Sequence, residues 1–165
     1  MGNASSGPEA LARYSIDTCA LMEAQYVLYP PDVFRPLWAT LEGMARNGVL
    51  VASEEVYQEL QPARWAELKA WADGVRTMFK QTDSAVMAAV QRILAEYCDL
   101  VPANSLKSRA DPFVIALAQV SGCAVVAVEK KSGSLLGPKI PDVCGALGIP
   151  VMSIAQMLRA ERVAF

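Results

Sequence analysis

The chain has 165 residues, 15 of them basic and 17 acidic, with a net charge of −2 and no histidine. That length suits one domain, which would hide about 70% of its unfolded surface, and the slight acidity argues against binding nucleic acid by bulk charge while leaving room for a basic rim around an acidic site. Without histidine, Ser-His-Asp and Cys-His nucleophile schemes and histidine-bound zinc are excluded, so any chemistry falls to carboxylates, hydroxyls, Lys, Arg or a metal.

In chain order, residues 1–11 predict a flexible tail with no basic n-region of a signal peptide, ahead of one domain over 12–165. Arg13 to Asp17 reads as a first strand and Thr18 to Ala24 as a helical turn. After a break at Tyr29 to Asp32, the spacing of Val33, Leu37, Trp38, Leu41, Met44 and Ala45 predicts an amphipathic helix that stops at Asn47-Gly48. Val49 to Ala52 is an apolar run, as in a strand buried on both faces, and Ser53 is placed to cap the helix carrying Glu54, Glu55 and Glu59.

Ala63 to Phe79 and Asp83 to Cys98 predict two more helices. Asp111-Pro112 opens another, with Asp111 as N-cap, ending at Gly122. Ala124 to Val128 predicts a buried strand that stops at Glu129, and Lys130 to Lys139 a flexible loop. A short helix from Pro141 or Asp142, a strand over Pro150 to Ser153 and a helix over Ile154 to Arg162 close the domain. This alternation predicts an α/β fold, a three-layer α/β/α sandwich with a central, mostly parallel sheet. In such folds the site lies at the carboxyl ends of the strands.

Acids recur at those ends. Asp17 closes the first strand, Glu55 and Glu59 follow the second, Asp111 opens a central helix, Glu129 ends the third strand and Asp142 follows the loop. A carboxylate at a buried strand end is costly unless paired or metal-bound. Several of them converging would repel one another, and a divalent cation reverses that penalty. Mg²⁺ or Mn²⁺ accepts such oxygen ligands and can activate water against a phosphodiester. Simpler roles compete: Asp17 and Asp111 could be plain N-caps, Glu54 and Glu55 sit where the helix dipole favours acids, Glu129 could be solvated, and Asp142 reads more as a cap than a ligand. Thr18, Lys107, Arg109, Lys130, Lys131 and Lys139 flank the acids and are candidates for holding substrate phosphates.

At this point the residues resemble the PIN-domain superfamily. Tyr14-Ser15-Ile16-Asp17-Thr18 resembles its opening strand, Ala52-Ser53 through Glu59-Leu60 its second motif, Ala110-Asp111-Pro112 with the apolar helix after it its third, and Val125 to Glu129 its fourth. Tyr29-Pro30, Val33 to Trp38 and Lys139 to Cys144 resemble an uncharacterised branch of the superfamily. Two departures stand out: Glu129 replaces the commoner Asp, and Ala127 stands where Thr is frequent, so metal binding there should be looser.

The resemblance implies a ribonuclease dependent on Mg²⁺ or Mn²⁺ with Asp17, Glu59, Asp111 and Glu129 as catalytic and metal-binding residues. It also implies the toxin half of a toxin–antitoxin pair, with RNA as substrate, a cognate antitoxin as partner and a homodimer as a possible assembly. The competing expectation is a PIN-like module with little or no activity that works by binding protein or RNA. A doubly wound nucleotide binder is disfavoured, since no GxGxxG or Walker loop is present. With no signal peptide and no apolar run of the roughly 18 residues a membrane span needs, a cytoplasmic protein away from membranes is expected. The four cysteines lack CxxC spacing and are expected to be reduced and mostly buried. Trp65, Leu68, Trp71 and Met78 read as core packing, with an interface as the alternative.

Overall fold

Short apolar runs such as Leu50 to Ala52 become strands here, and helices connect each strand to the next. The computed structural model describes residues 11–103, 109–134 and 136–165. Among these, β1 (Tyr14–Ile16), β2 (Leu50–Ser53), β3 (Phe79–Lys80), β4 (Ala124–Val126) and β5 (Val151–Met152) form one all-parallel sheet in the order β3-β2-β1-β4-β5. Ser15 lies level with Val51 on one side and Val125 on the other, so β1 is central. Every residue of β1 and β2 is buried, because helices cover both faces. The three-layer α/β/α arrangement expected from the sequence is present.

The helices are α1 (Thr18–Glu23), α2 (Arg35–Arg46), α3 (Glu54–Glu59), α4 (Ala66–Gly74), α5 (Ser84–Glu96), α6 (Asp111–Ser121), α7 (Ile140–Leu147) and α8 (Ile154–Ala160). Ile16, Leu41, Leu50, Leu68 and Ile115 are wholly buried between sheet and helices. Gly122 ends α6 with φ of 66°, a left-handed value that glycine adopts without a Cβ clash. No helix among the described residues is long and apolar enough to cross a membrane.

Several local expectations need correction. Ala63 to Phe79 is not one helix: a 3₁₀ turn at Ala63–Trp65, α4, a second 3₁₀ turn at Arg76–Met78 and then β3 replace it. β3 is two residues long and has no alternation to read. Val33 is 66% exposed and precedes α2, so it is not part of the buried helical stripe. α1 continues as a π-helix over Ala24–Leu28.

Capping differs as well. Asp111 is the first residue of α6 rather than its cap; Ala110 holds the cap position. Ser53 precedes α3 as foreseen, but its buried hydroxyl makes no hydrogen bond. Cys19 and Cys98 are exposed while Cys123 and Cys144 are buried, so burial of the thiols holds for half of them, and all four are free. Leu68 and Met78 are fully buried, as core packing requires.

Candidate active site

β1 ends where its partner β4 still supplies an acceptor: the Asp17 N–H donates to Val126 O at 3.0 Å. This bond fixes Asp17 at the carboxyl edge of the sheet. Its Oδ2 accepts the Cys19 N–H at 3.2 Å, so it caps α1 as well. Asp17 is 2% exposed, and no cation pairs with it among the described residues. Burial pushes its carboxyl up to about 7, aided by the charges of Glu59 and Glu129, while backbone N–H groups of Thr18 and Cys19 pull the other way. Asp17 is thus both helix cap and strand-end acid.

Glu59 is the last residue of α3 and its Oε1 accepts the Ala110 N–H at 3.1 Å. That bond brings the end of α3 to the start of α6, where Asp111 is 8% exposed. Glu129 lies three residues past the end of β4, half-buried, because the strand stops at Val126 rather than running on to Val128. The Cys19 thiol registers the whole group: desolvation, then the charges of Asp17, Glu129, Asp111 and Glu59, push it up to about 12. Glu59 and Glu129 thus act on the Asp17 carboxyl, and all four acids act on the Cys19 thiol, each from a different segment.

A family model, the domain of unknown function DUF4411, matches residues 14–165. The chain belongs to the DUF4411 family. No curated protein and no solved structure matches it. The match spans all four acids and the loop and helix beyond them.

Within this DUF4411 domain the other candidates fall in different places. Glu55 turns toward Thr82, whose hydroxyl donates to its Oε1 at 3.2 Å, and its Oε2 is buried without a partner. Glu54 is held by Arg76 at 2.8 and 2.7 Å. Asp142 is 9% exposed and is engaged by the loop before α7 rather than by the acids. Thr18, beside Asp17, is 2% exposed and its hydroxyl has no hydrogen-bond partner.

Among the cations, Arg109, Lys130, Lys131 and Lys139 are exposed. Lys139 Nζ stands 3.9 Å from Glu129 Oε1. Lys131 instead lies along α7, where a Cβ on Gly145 would meet its Nζ at 3.2 Å. Lys107 lies outside the described residues.

The donor set suits a hard divalent cation in kind, since all four acids offer oxygen and one is buried without a counter-charge. Among the described residues, no three acid or thiol side chains stand close enough to form a finished ligand set. Sequence reasoning missed the Ala110 N–H as the link between Glu59 and Asp111, and Cys19 as their neighbour. Neither carries a signal: a backbone donor has no residue type, and a lone cysteine has no motif.

Proposed function

We propose that this DUF4411 domain is a metal-dependent endoribonuclease that hydrolyses RNA phosphodiester bonds. The observation that carries the reading is Asp17: a buried carboxylate at the carboxyl end of the central strand, without a cation among the described residues, raised by burial and by two more acids. An acidic cluster of this kind is stabilised by divalent metal. Asp17, Glu59, Asp111 and Glu129 would hold Mg²⁺ or Mn²⁺, which when bound supplies an activated water and charge neutralisation at the phosphate. The exposed lysines would hold substrate phosphates. The PIN-like order of these residues points the same way.

The toxin role and an antitoxin partner come with the resemblance. The exposed apolar side chains Val27, Leu28, Val33 and Phe34, close in sequence between α1 and α2, support a protein partner or a second copy there. A second reading, an inactive binding module, is favoured by the fourth motif, where Ala127 and Glu129 stand in place of the commoner Thr and Asp.

The test is cleavage of a labelled RNA with Mn²⁺, Mg²⁺ or EDTA, by the parent chain and by Asp17→Asn. Cleavage that needs metal and disappears in the variant supports the nuclease. Metal-independent cleavage, or equal cleavage by both, sinks it, and RNA binding with no cleavage in any metal favours the second reading.

A further inference from the structure

One carboxylate gathers the loop between β4 and α7. Asp142 Oδ2 accepts the Ser132 N–H at 2.9 Å, the Ser132 hydroxyl at 2.8 Å and the Lys139 N–H at 2.9 Å, and Oδ1 accepts the Gly133 N–H at 3.1 Å. Desolvation works against its charge, but these donors outweigh it and hold the carboxyl well below the usual range. The bond from Lys139 N–H is what a third-position acid gives a helix start. Capping does not account for the bonds to Ser132 and Gly133, which belong to the far side of the loop.

The consequence falls on two of the three lysines of that loop, Lys139 and Lys131. Drawing residues 132–133 and 139 to one point sets Lys139, at the end of the loop, with Nζ 3.9 Å from Glu129 Oε1 at its beginning. That separation is too long for a tight ion pair and the Lys139 side chain is 50% exposed, so the ammonium remains open to a second anion. Lys131 is led the other way, onto α7 at Gly145, where an added Cβ would meet its Nζ at 3.2 Å. The loop thus assigns one lysine to the acids and one to the helix.

We propose that Asp142 is a positioning residue: by tying residues 132 and 133 to residue 139 it holds Lys139 at Glu129, where the ammonium meets a phosphate of bound RNA. The choice of RNA as the ligand rests on the proposed function, while the clasp stands on the hydrogen bonds. Asp142→Asn tests it, because an Asn places an NH₂ against a loop donor whichever way the amide turns. Ser132→Ala is the milder companion, removing the hydroxyl bond alone.

The probe is a single-stranded RNA oligonucleotide in EDTA, its affinity measured by fluorescence anisotropy across a salt series. Lys139→Met should weaken binding and lower the salt slope by about one unit, the signature of one phosphate no longer neutralised. Asp142→Asn should do the same with the lysine still present, and the double variant should bind no more weakly than Lys139→Met. A residue that served stability alone would not produce that non-additivity. Amide hydrogen exchange at residues 132, 133 and 139 should quicken in Asp142→Asn. If that variant fails to fold, Ser132→Ala should show a smaller loss of slope, also absent in the Lys139→Met background.

Losses that add in the double variant, or an unchanged slope in Asp142→Asn, would overturn the positioning role. Unchanged amide protection would overturn the clasp whether or not RNA binds. A parent chain that binds no RNA at any salt would overturn the proposed function and, with it, the role of Lys139 at a phosphate; exchange data showing a working clasp beside that result would separate the two failures.

Discussion

At the end of β1, Asp17 is a cap whose charge the fold disfavours. Its folded value of about 7 lies above the ordinary 3.8, so between those values the folded state keeps a proton that the unfolded state releases. Stability in metal-free buffer should therefore be fullest below 3.8 with respect to this group and should fall as pH rises to about 7, with no further loss beyond. Asn caps about as well as Asp and carries no charge. Asp17→Asn should fold, show a flatter profile of melting temperature against pH in EDTA, and match or exceed the parent at neutral pH. Added Mn²⁺ should raise the melting temperature of the parent and do so much less in the variant, because a ligand stabilises only the state that binds it. Parallel profiles, or equal metal stabilisation, would leave Asp17 as a helix cap and nothing more.

The caps of α3, α5 and α8 show how similar signals in sequence diverge as elements form. Asp83 accepts the Val86 N–H at 2.8 Å, and Ser153 accepts the Gln156 N–H at 3.2 Å while Gln156 accepts the Ser153 N–H at 2.9 Å in return. Ser53 holds the same position before α3, yet its hydroxyl is buried and unpartnered. Asp83→Ala should cost about 1 kcal/mol, whereas Ser53→Ala should be neutral or slightly stabilising, since it removes a polar group with nothing to bond. Thermal melts of the two variants check this, and an equal loss in both would mean that Ser53 caps α3 after all. On α3 itself, Glu59 reaches Ala110 beside the acids while Glu55 reaches Thr82. Glu59→Gln should reduce the Mn²⁺-induced rise in melting temperature, and Glu55→Gln should leave most of it. The reverse ranking would move the site one helical turn.

At the scale of the whole molecule, the parallel sheet brings forward acids that are far apart in sequence and leaves Lys130, Lys131 and Lys139 on the loop after β4. Neutralising Lys130 and Lys131 together should flatten the salt dependence of RNA binding by about one unit for each phosphate that is no longer neutralised. Because Lys131 lies along α7, most of that change should come from Lys130. An unchanged slope would take both out of the interface.

The sequence by itself determined the α/β class, the central strands and the acids at their ends. Those features rest on local chemistry: apolar runs such as Leu50 to Ala52, the glycine stop at Gly122, and an acid where Ile16 ends a buried strand. The tertiary structure decided what no local pattern encodes. β3 exists because Phe79 and Lys80 lie alongside Ala52 and Ser53, not because two residues have a strand signature. Asp111 lost its capping role because the chain entering α6 puts Ala110 in the cap position. Glu59 and Glu55 differ by the neighbours a helix turn presents to each, and Asp142 became a clasp because Ser132 and Gly133 fold back onto it. In each case the deciding partner is a backbone donor or a distant segment, and only the folded chain brings it within hydrogen-bond reach.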